Sequence, residues 1–169
     1  MIVLPDTNIR TLGPVSKLYY FDQQDTPLPK QMTALTALTA LTAWNTIMCE
    51  PQPLLKLAFR IRDAISSVFG VKRIGGFSGK PVRSVDVGEY LDFFLVEHID
   101  DNCLVLTERD RHLDVMTCIS INDDILSVTS SVCVHNLFGR AYMLPVGIAH
   151  RWIVRSMFKR LRRNKIWQG

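Results

Sequence analysis

Two histidines and a carboxylate fall close together near the end of the chain. His112 and Asp114 open one predicted strand, and His135 closes the next. Two imidazoles and a carboxylate form a donor set for a divalent transition metal. A histidine beside an aspartate is also an acid/base pair. The same side chains can equally hydrogen-bond one another across strands on a solvent face. That third reading is the one the residues favour, and no metal or cofactor is expected. No Gly-x-Ser-x-Gly turn accompanies them, so they gain no serine nucleophile.

A second set follows in His135-Asn-Leu-Phe-Gly-Arg-Ala-Tyr142. Gly139 reads as a bulge or tight bend. Arg140 and Tyr142 could present a guanidinium and a hydroxyl to a polar or anionic ligand head. Arg140 could instead pair with Asp114 or Glu108 and pin the chain. His150 follows on the apolar side of a terminal helix. If buried it needs a partner, and Tyr142, His135, Asn136 or a ligand would serve.

These residues are positioned by a hairpin and a helix. On the first arm Leu113, Val115, Ile119 and Ile121 alternate with His112, Asp114, Met116, Cys118 and Ser120. On the second arm Leu126, Val128, Val132 and Val134 alternate with Ser127, Thr129, Ser131, Cys133 and His135. Strand side chains point alternately to opposite faces, so register must bring the aliphatic sets together. A loop from Asn122 to Ile125 sets Ile121 opposite Leu126, Ile119 opposite Val128, Val115 opposite Val132 and Leu113 opposite Val134. It also puts His112 across from His135 and Asp114 across from Cys133. The aliphatic face then needs a cover. A helix from Pro145 to Asn164 supplies it, with Val146, Ile153, Val154, Met157, Phe158 and Leu161 on one side. Arg151, Arg155, Lys159, Arg162 and Arg163 fall on the other side.

Upstream, Lys17 to Asp22 reads as a first strand. The repeat Thr-Ala-Leu over residues 33–43 lies in a predicted helix from Gln31 to Met48. A second helix runs from Pro53 to Phe69, with Leu54, Leu57, Ile61, Ile65 and Val68 on one face. Residues 70–88 are rich in glycine and carry Lys72, Arg73, Lys80 and Arg83, but they lack the P-loop pattern and read as a surface loop. Strands follow at Tyr90 to His98 and Cys103 to Glu108, before the hairpin. An uninterrupted antiparallel run with segregated helices implies an α+β fold.

The chain has 169 residues, 47% of them hydrophobic and 21% charged, which suits one globular domain over 1–169 with residues 1–16 as a looser arm. The formal net charge of +4 is too small to imply nucleic acid. The basic run of the last helix, with Trp152 and Trp167 near it, could touch a membrane surface. A solvated helix face is favoured, because the apolar side is already needed by the sheet. No signal peptide or membrane span is visible. Cys49, Cys103, Cys118 and Cys133 form no Cys-x-x-Cys pair and read as free thiols of a cytoplasmic protein.

Arg111-His-Leu-Asp114, His135-Asn-Leu-Phe-Gly-Arg-Ala-Tyr-Met143 and Ala149-His-Arg-Trp-Ile-Val-Arg-Ser-Met157 resemble the bacterial family known as domain of unknown function 2867. Leu57-Ala-Phe-Arg-Ile-Arg-Asp63 with Phe69-Gly70 fits its first half. The chain departs from it in the Thr-Ala-Leu repeat and in Ile148-Ala149, where related members tend to show Pro-Phe. The family is similar to the helix-grip superfamily (START-like, SRPBCC-type), in which a curved antiparallel sheet wraps a long C-terminal helix. Related segments follow Rossmann domains in larger proteins. That part is missing here, so the resemblance implies no nicotinamide cofactor.

The expectation is a binding module for a small apolar or amphipathic ligand between sheet and helix. Leu113, Val115, Val132, Val134, Ile153 and Met157 would form the apolar wall, and Arg140, Tyr142 and His150 the polar contacts. Alternatives are an enzyme on the same scaffold using His112, Asp114 and His135, or His150 with Tyr142, and a structural or membrane-surface protein.

Overall fold

A computed structural model describes residues 1–28, 39–48 and 76–163. The chain is α+β, with a curved antiparallel sheet and a long C-terminal helix, consistent with a helix-grip arrangement. The strands are β1 (Ile2–Val3), β2 (Arg10–Thr11), β3 (Tyr20–Pro27), β4 (Tyr90–Leu91), β5 (Phe94–Ile99), β6 (Cys103–Arg109), β7 (Leu113–Asn122) and β8 (Ile125–Val134). Two helices are described, α1 (Ala40–Met48) and α2 (Leu137–Arg163). The main sheet is six-stranded in the order β3-β8-β7-β6-β5-β4.

The β7–β8 register matches the alternation argument: Leu113 faces Val134, Val115 faces Val132, Ile119 faces Val128, Ile121 faces Leu126 and Asp114 faces Cys133. Asn122 also pairs with Ile125, so Asp123 and Asp124 alone make the turn. Asp123 adopts φ 51°, a left-handed conformation that aspartate tolerates better than most residues. The first long strand runs from Tyr20 to Pro27, later and longer than Lys17 to Asp22. Of the helix expected from Gln31 to Met48, residues 40–48 are helical. The rest of it before Thr39, and the expected helix Pro53 to Phe69, lie outside the described residues.

The terminal helix begins at Leu137, well before Pro145. Asn136 is the reason. Its Oδ1 accepts the Gly139 backbone N–H at 3.1 Å, supplying the cap that a helix start requires. Gly139 is therefore not a bulge but a helical residue at a close approach: a Cβ there would stand 2.5 Å from the His112 carbonyl oxygen. Pro145 sits inside the helix, where it has no N–H for the Ala141 carbonyl.

The inner face of the sheet carries the main core. Val96, Leu104, Leu106, Ile119 and Leu126 pack there with Trp44 and Ile47 of α1 and with Val154, Phe158 and Leu161 of α2. The outer face is not the solvent face the alternation suggested. Met116, Cys118, Ser120, Ser127, Thr129 and Ser131 are buried. Their cover is the N-terminal segment. Its residues 10–12 are fixed there: Leu12 packs on Cys103, Val105, Met116 and Cys118, the Leu12 N–H donates to Ser131 Oγ at 3.1 Å, and the Arg10 N–H donates to Cys118 Sγ at 3.3 Å. Among the described residues, no helix is long and apolar enough to cross a membrane.

Candidate functional site

Between the inner face of the sheet and α2 lies a cavity of about 240 Å³. The apolar faces that alternation and helical spacing create do not close completely on each other, and the gap is the candidate site. Leu113, Val115 and Val132 form the sheet wall, and Tyr142, Ile153 and Met157 line the helix side. Trp44, Phe77, Phe93 and Phe94 add an aromatic wall that the sequence did not single out. Their rings pack together, with Phe93 and Phe94 at 4.3 Å between centroids.

Two expected wall or contact residues lie elsewhere. Val134 does not line the cavity, because it is taken up by the first turn of α2: a Cβ at Gly139 would stand 2.9 Å from Val134 Cγ1. Arg140 is exposed, because the early helix start turns it to the outer side. No Lys or Arg lines the cavity among the described residues, and its charged neighbours are Glu108 and Asp110.

The trio His112, Asp114 and His135 is split. His135 Nε2 pairs with Asp114 Oδ1 at 3.1 Å, away from the cavity. His112 joins the cavity lining instead, packed against Phe138 with centroids 4.6 Å apart and the ring planes inclined by 53°. Arg111 Nε donates to His112 Nε2 at 2.9 Å. On its other side, His112 Nδ1 lies 3.1 Å from Asn136 Oδ1 and 2.9 Å from Asn136 Nδ2. The alternation argument treated His112 as a strand residue like Asp114. It lies in the bend before β7, where Asp110 Oδ1 accepts the His112 and Leu113 backbone N–H groups at 2.6 and 3.0 Å. Among the described residues, no group of His, Cys, Asp and Glu is placed to hold a metal ion.

His150 drops from α2 onto β8. Its Nε2 lies 3.0 Å from Ser130 Oγ, and both residues line the cavity. Its Nδ1 is shut off from solvent without a hydrogen bond, and faces Asp22 Oδ2 at 3.9 Å, beyond bonding distance. Burial lowers the His150 pKa, the Asp22 carboxylate opposes that and Arg151 reinforces it, so the ring is neutral at neutral pH. Asp22 itself pairs with Arg151 Nε at 3.2 Å and accepts Gln24 Nε2 at 2.7 Å. Tyr20 crosses beneath the helix, donating its hydroxyl to the Gly147 carbonyl at 3.1 Å. Burial, then the Asp22 charge, raises its pKa, so that hydroxyl keeps its proton.

Ser130, Thr117, Asp22 and Tyr20 were not singled out from the sequence. A signal for two of them was present. Ser130 interrupts Val128-x-Ser-x-Val132, and Thr117 interrupts Val115-x-Thr-x-Ile119. The hairpin register sets these interruptions directly opposite each other.

The model of the family described as Protein of unknown function (DUF2867) matches residues 15–157. No curated protein and no solved structure gives a significant match. The match runs from ahead of the edge strand β3 to Met157 on the cavity's helix side, and by it the chain belongs to the DUF2867 family of proteins of unknown function.

Proposed function

We propose that this chain is a binding protein of the helix-grip, START-like kind, holding a small apolar or amphipathic molecule between the sheet and α2. The observation that carries the reading is the apolar cavity of about 240 Å³. An engineered apolar cavity of about 150 Å³ already admits benzene, and drug-sized ligands occupy about 300–1,000 Å³. The space therefore suits a molecule of one or two rings. Cavity filling tests this. Val132→Phe should abolish binding of an environment-sensitive apolar dye while the far-UV circular dichroism stays native. Undiminished dye binding in a folded variant would remove the reading, and native mass spectrometry of gently purified protein should show a small copurifying mass. The scaffold offers less to the acid/base alternative, since His112 stands apart from the Asp114–His135 pair.

A second reading has its own support. Leu137, Leu144, Ile148 and Trp152 are 80%, 67%, 75% and 58% exposed, along the outer line of α2. The cations Arg151, Arg155 and Lys159 continue that side, and α2 contains no acidic residue. The helix thus has a second apolar stripe besides the one the sheet uses, a pattern that suits an anionic membrane surface. Cosedimentation with anionic but not zwitterionic vesicles, reduced by Ile148→Ser and Trp152→Ser, is the expected result. No cosedimentation at low salt would eliminate it.

A further inference from the structure

The inner face of the sheet has one polar row. Asp22 on β3 pairs with Ser130 on β8, and Ser130 pairs with Thr117 on β7. The rows on either side are built differently: Tyr20, Val132 and Val115 on one, Gln24, Val128 and Ile119 on the other. Above the polar row sits His150, with Nε2 3.0 Å from Ser130 Oγ. Ser130, Thr117 and His150 all line the cavity, so a largely apolar chamber has a polar strip across its wall, apart from the Glu108, Asp110 and His112 that also line it. Burying hydroxyls in such a wall is unfavourable unless they find partners.

The direction of the hydrogen bond follows from Asp22. A neutral imidazole carries one proton. Placed on Nε2, it would leave the Nδ1 lone pair facing the Asp22 carboxylate, at 3.9 Å. Placed on Nδ1, it directs an N–H dipole at that carboxylate. The charge selects the second tautomer, so Ser130 donates its O–H to Nε2. The remaining lone pairs of Ser130 Oγ can then only accept, and the Thr117 hydroxyl beside it can turn to accept or donate.

On the reading that this cavity binds a ligand, we infer that Ser130 and Thr117 anchor a hydroxyl group of a neutral hydrophobe of one or two rings, with Ser130 accepting the ligand's O–H. An acceptor-only ether cannot complete that bond. An anionic carboxylate fits worse still. It would enter beside Glu108 and Asp110, with no Lys or Arg on the described lining to meet it and a neutral imidazole at the anchor.

The test is isothermal titration calorimetry of the full chain with naphthalene, methoxynaphthalene, naphthol and naphthoate at neutral pH. Naphthol should bind about five- to tenfold more tightly than naphthalene, the gain of about one net hydrogen bond. Methoxynaphthalene, which can accept from Thr117 but has no proton to give Ser130, should gain less than naphthol, and naphthoate should bind most weakly. Ser130→Ala should erase the naphthol advantage while leaving naphthalene binding in place. Thr117→Val, which keeps the side-chain shape, should reduce the advantage and covers the case in which the serine variant does not fold. Equal binding of naphthol and naphthalene, or a preference for naphthoate, overturns the anchor and leaves the cavity reading standing. Failure of all four compounds to bind overturns the cavity reading, and the anchor with it.

Discussion

A Cβ on Gly139 would stand 2.5 Å from the carbonyl oxygen of His112, so the first turn of α2 touches the bend before β7 through a residue with no side chain. The same Cβ would stand 2.9 Å from Val134 Cγ1. Backbone on one side and a packed valine on the other leave no room to yield. Gly139→Ala should therefore destabilise the protein by about 1–3 kcal/mol through overpacking, although alanine is the better helix former. Urea denaturation checks it, and an unchanged midpoint would mean that α2 can shift away from the strand.

Asn136 is expected to matter through its oxygen. Asn136→Ala should cost about 0.5–2 kcal/mol by removing the cap on α2. Asn136→Asp keeps an acceptor for the Gly139 N–H and adds a charge that suits a helix N-terminus. It should recover most of the loss. Equal loss in both variants would place the effect in the Asn136–Arg111 bond, where Nδ2 donates to the Arg111 carbonyl at 3.0 Å.

Stability should fall on mild acidification, and His150 should contribute. Its pKa in the folded protein is lowered by burial, so below about 6.5, the ordinary histidine value, the unfolded chain binds a proton that the folded ring resists. More protons on the unfolded state make stability rise with pH. The contribution is thus present above that value and lost as pH falls through the folded pKa. Thermal denaturation at a series of pH values should show a shallower decline for His150→Gln than for the wild type. Identical slopes would show that the ring is not neutral by burial.

The cysteines should react in a set order. Cys103 and Cys118 are buried with their sulfurs 3.8 Å apart, and the hydrogen bond that the Cys118 thiol donates to Cys103, together with burial, raises the Cys118 pKa. Cys133 is only half-buried, and its pKa is raised by burial and by Asp114. Among the described cysteines, alkylation followed by peptide mass spectrometry should modify Cys133 before Cys103 and Cys118. Cys103 and Cys118 should react only when the N-terminal cover opens or the protein unfolds. Prompt labelling of Cys118 in native conditions would show that the segment from Ile9 to Leu12 does not hold the outer face.

How much of this was legible in the sequence depends on how far apart the interacting residues are. The facing apolar pairs of β7 and β8 were readable, because alternation and a short turn fix them locally, whereas the Asn122–Ile125 pair and the place of His112 outside the strand were not. The polar pair Thr117 and Ser130 followed from that register and needed only attention to its apolar side. Asp22 could not be read this way. Its pairing with Ser130 joins distant parts of the chain, and no turn sets the register. The burial of Met116 and Cys118 was hidden for the same reason, since their cover comes from the N-terminus. The start of α2 was misplaced because Pro145 outweighed Asn136, although an asparagine followed by Gly139 in its first turn is a competent helix entry. Arg140 then fell on the wrong side.

The edge position of β3 has a consequence for the protein in a crowded solution. Among the described residues no strand pairs with the outer side of this rim, Tyr20–Pro27, and such an edge is a template on which a foreign strand could build. Here that rim exposes Asp25, while Asp22 is turned inward onto Arg151, and it ends in Pro27, which has no N–H to give. Repulsion between like charges and a missing donor both oppose further β-growth, so the rim guards against fibril-like stacking of one copy on the next.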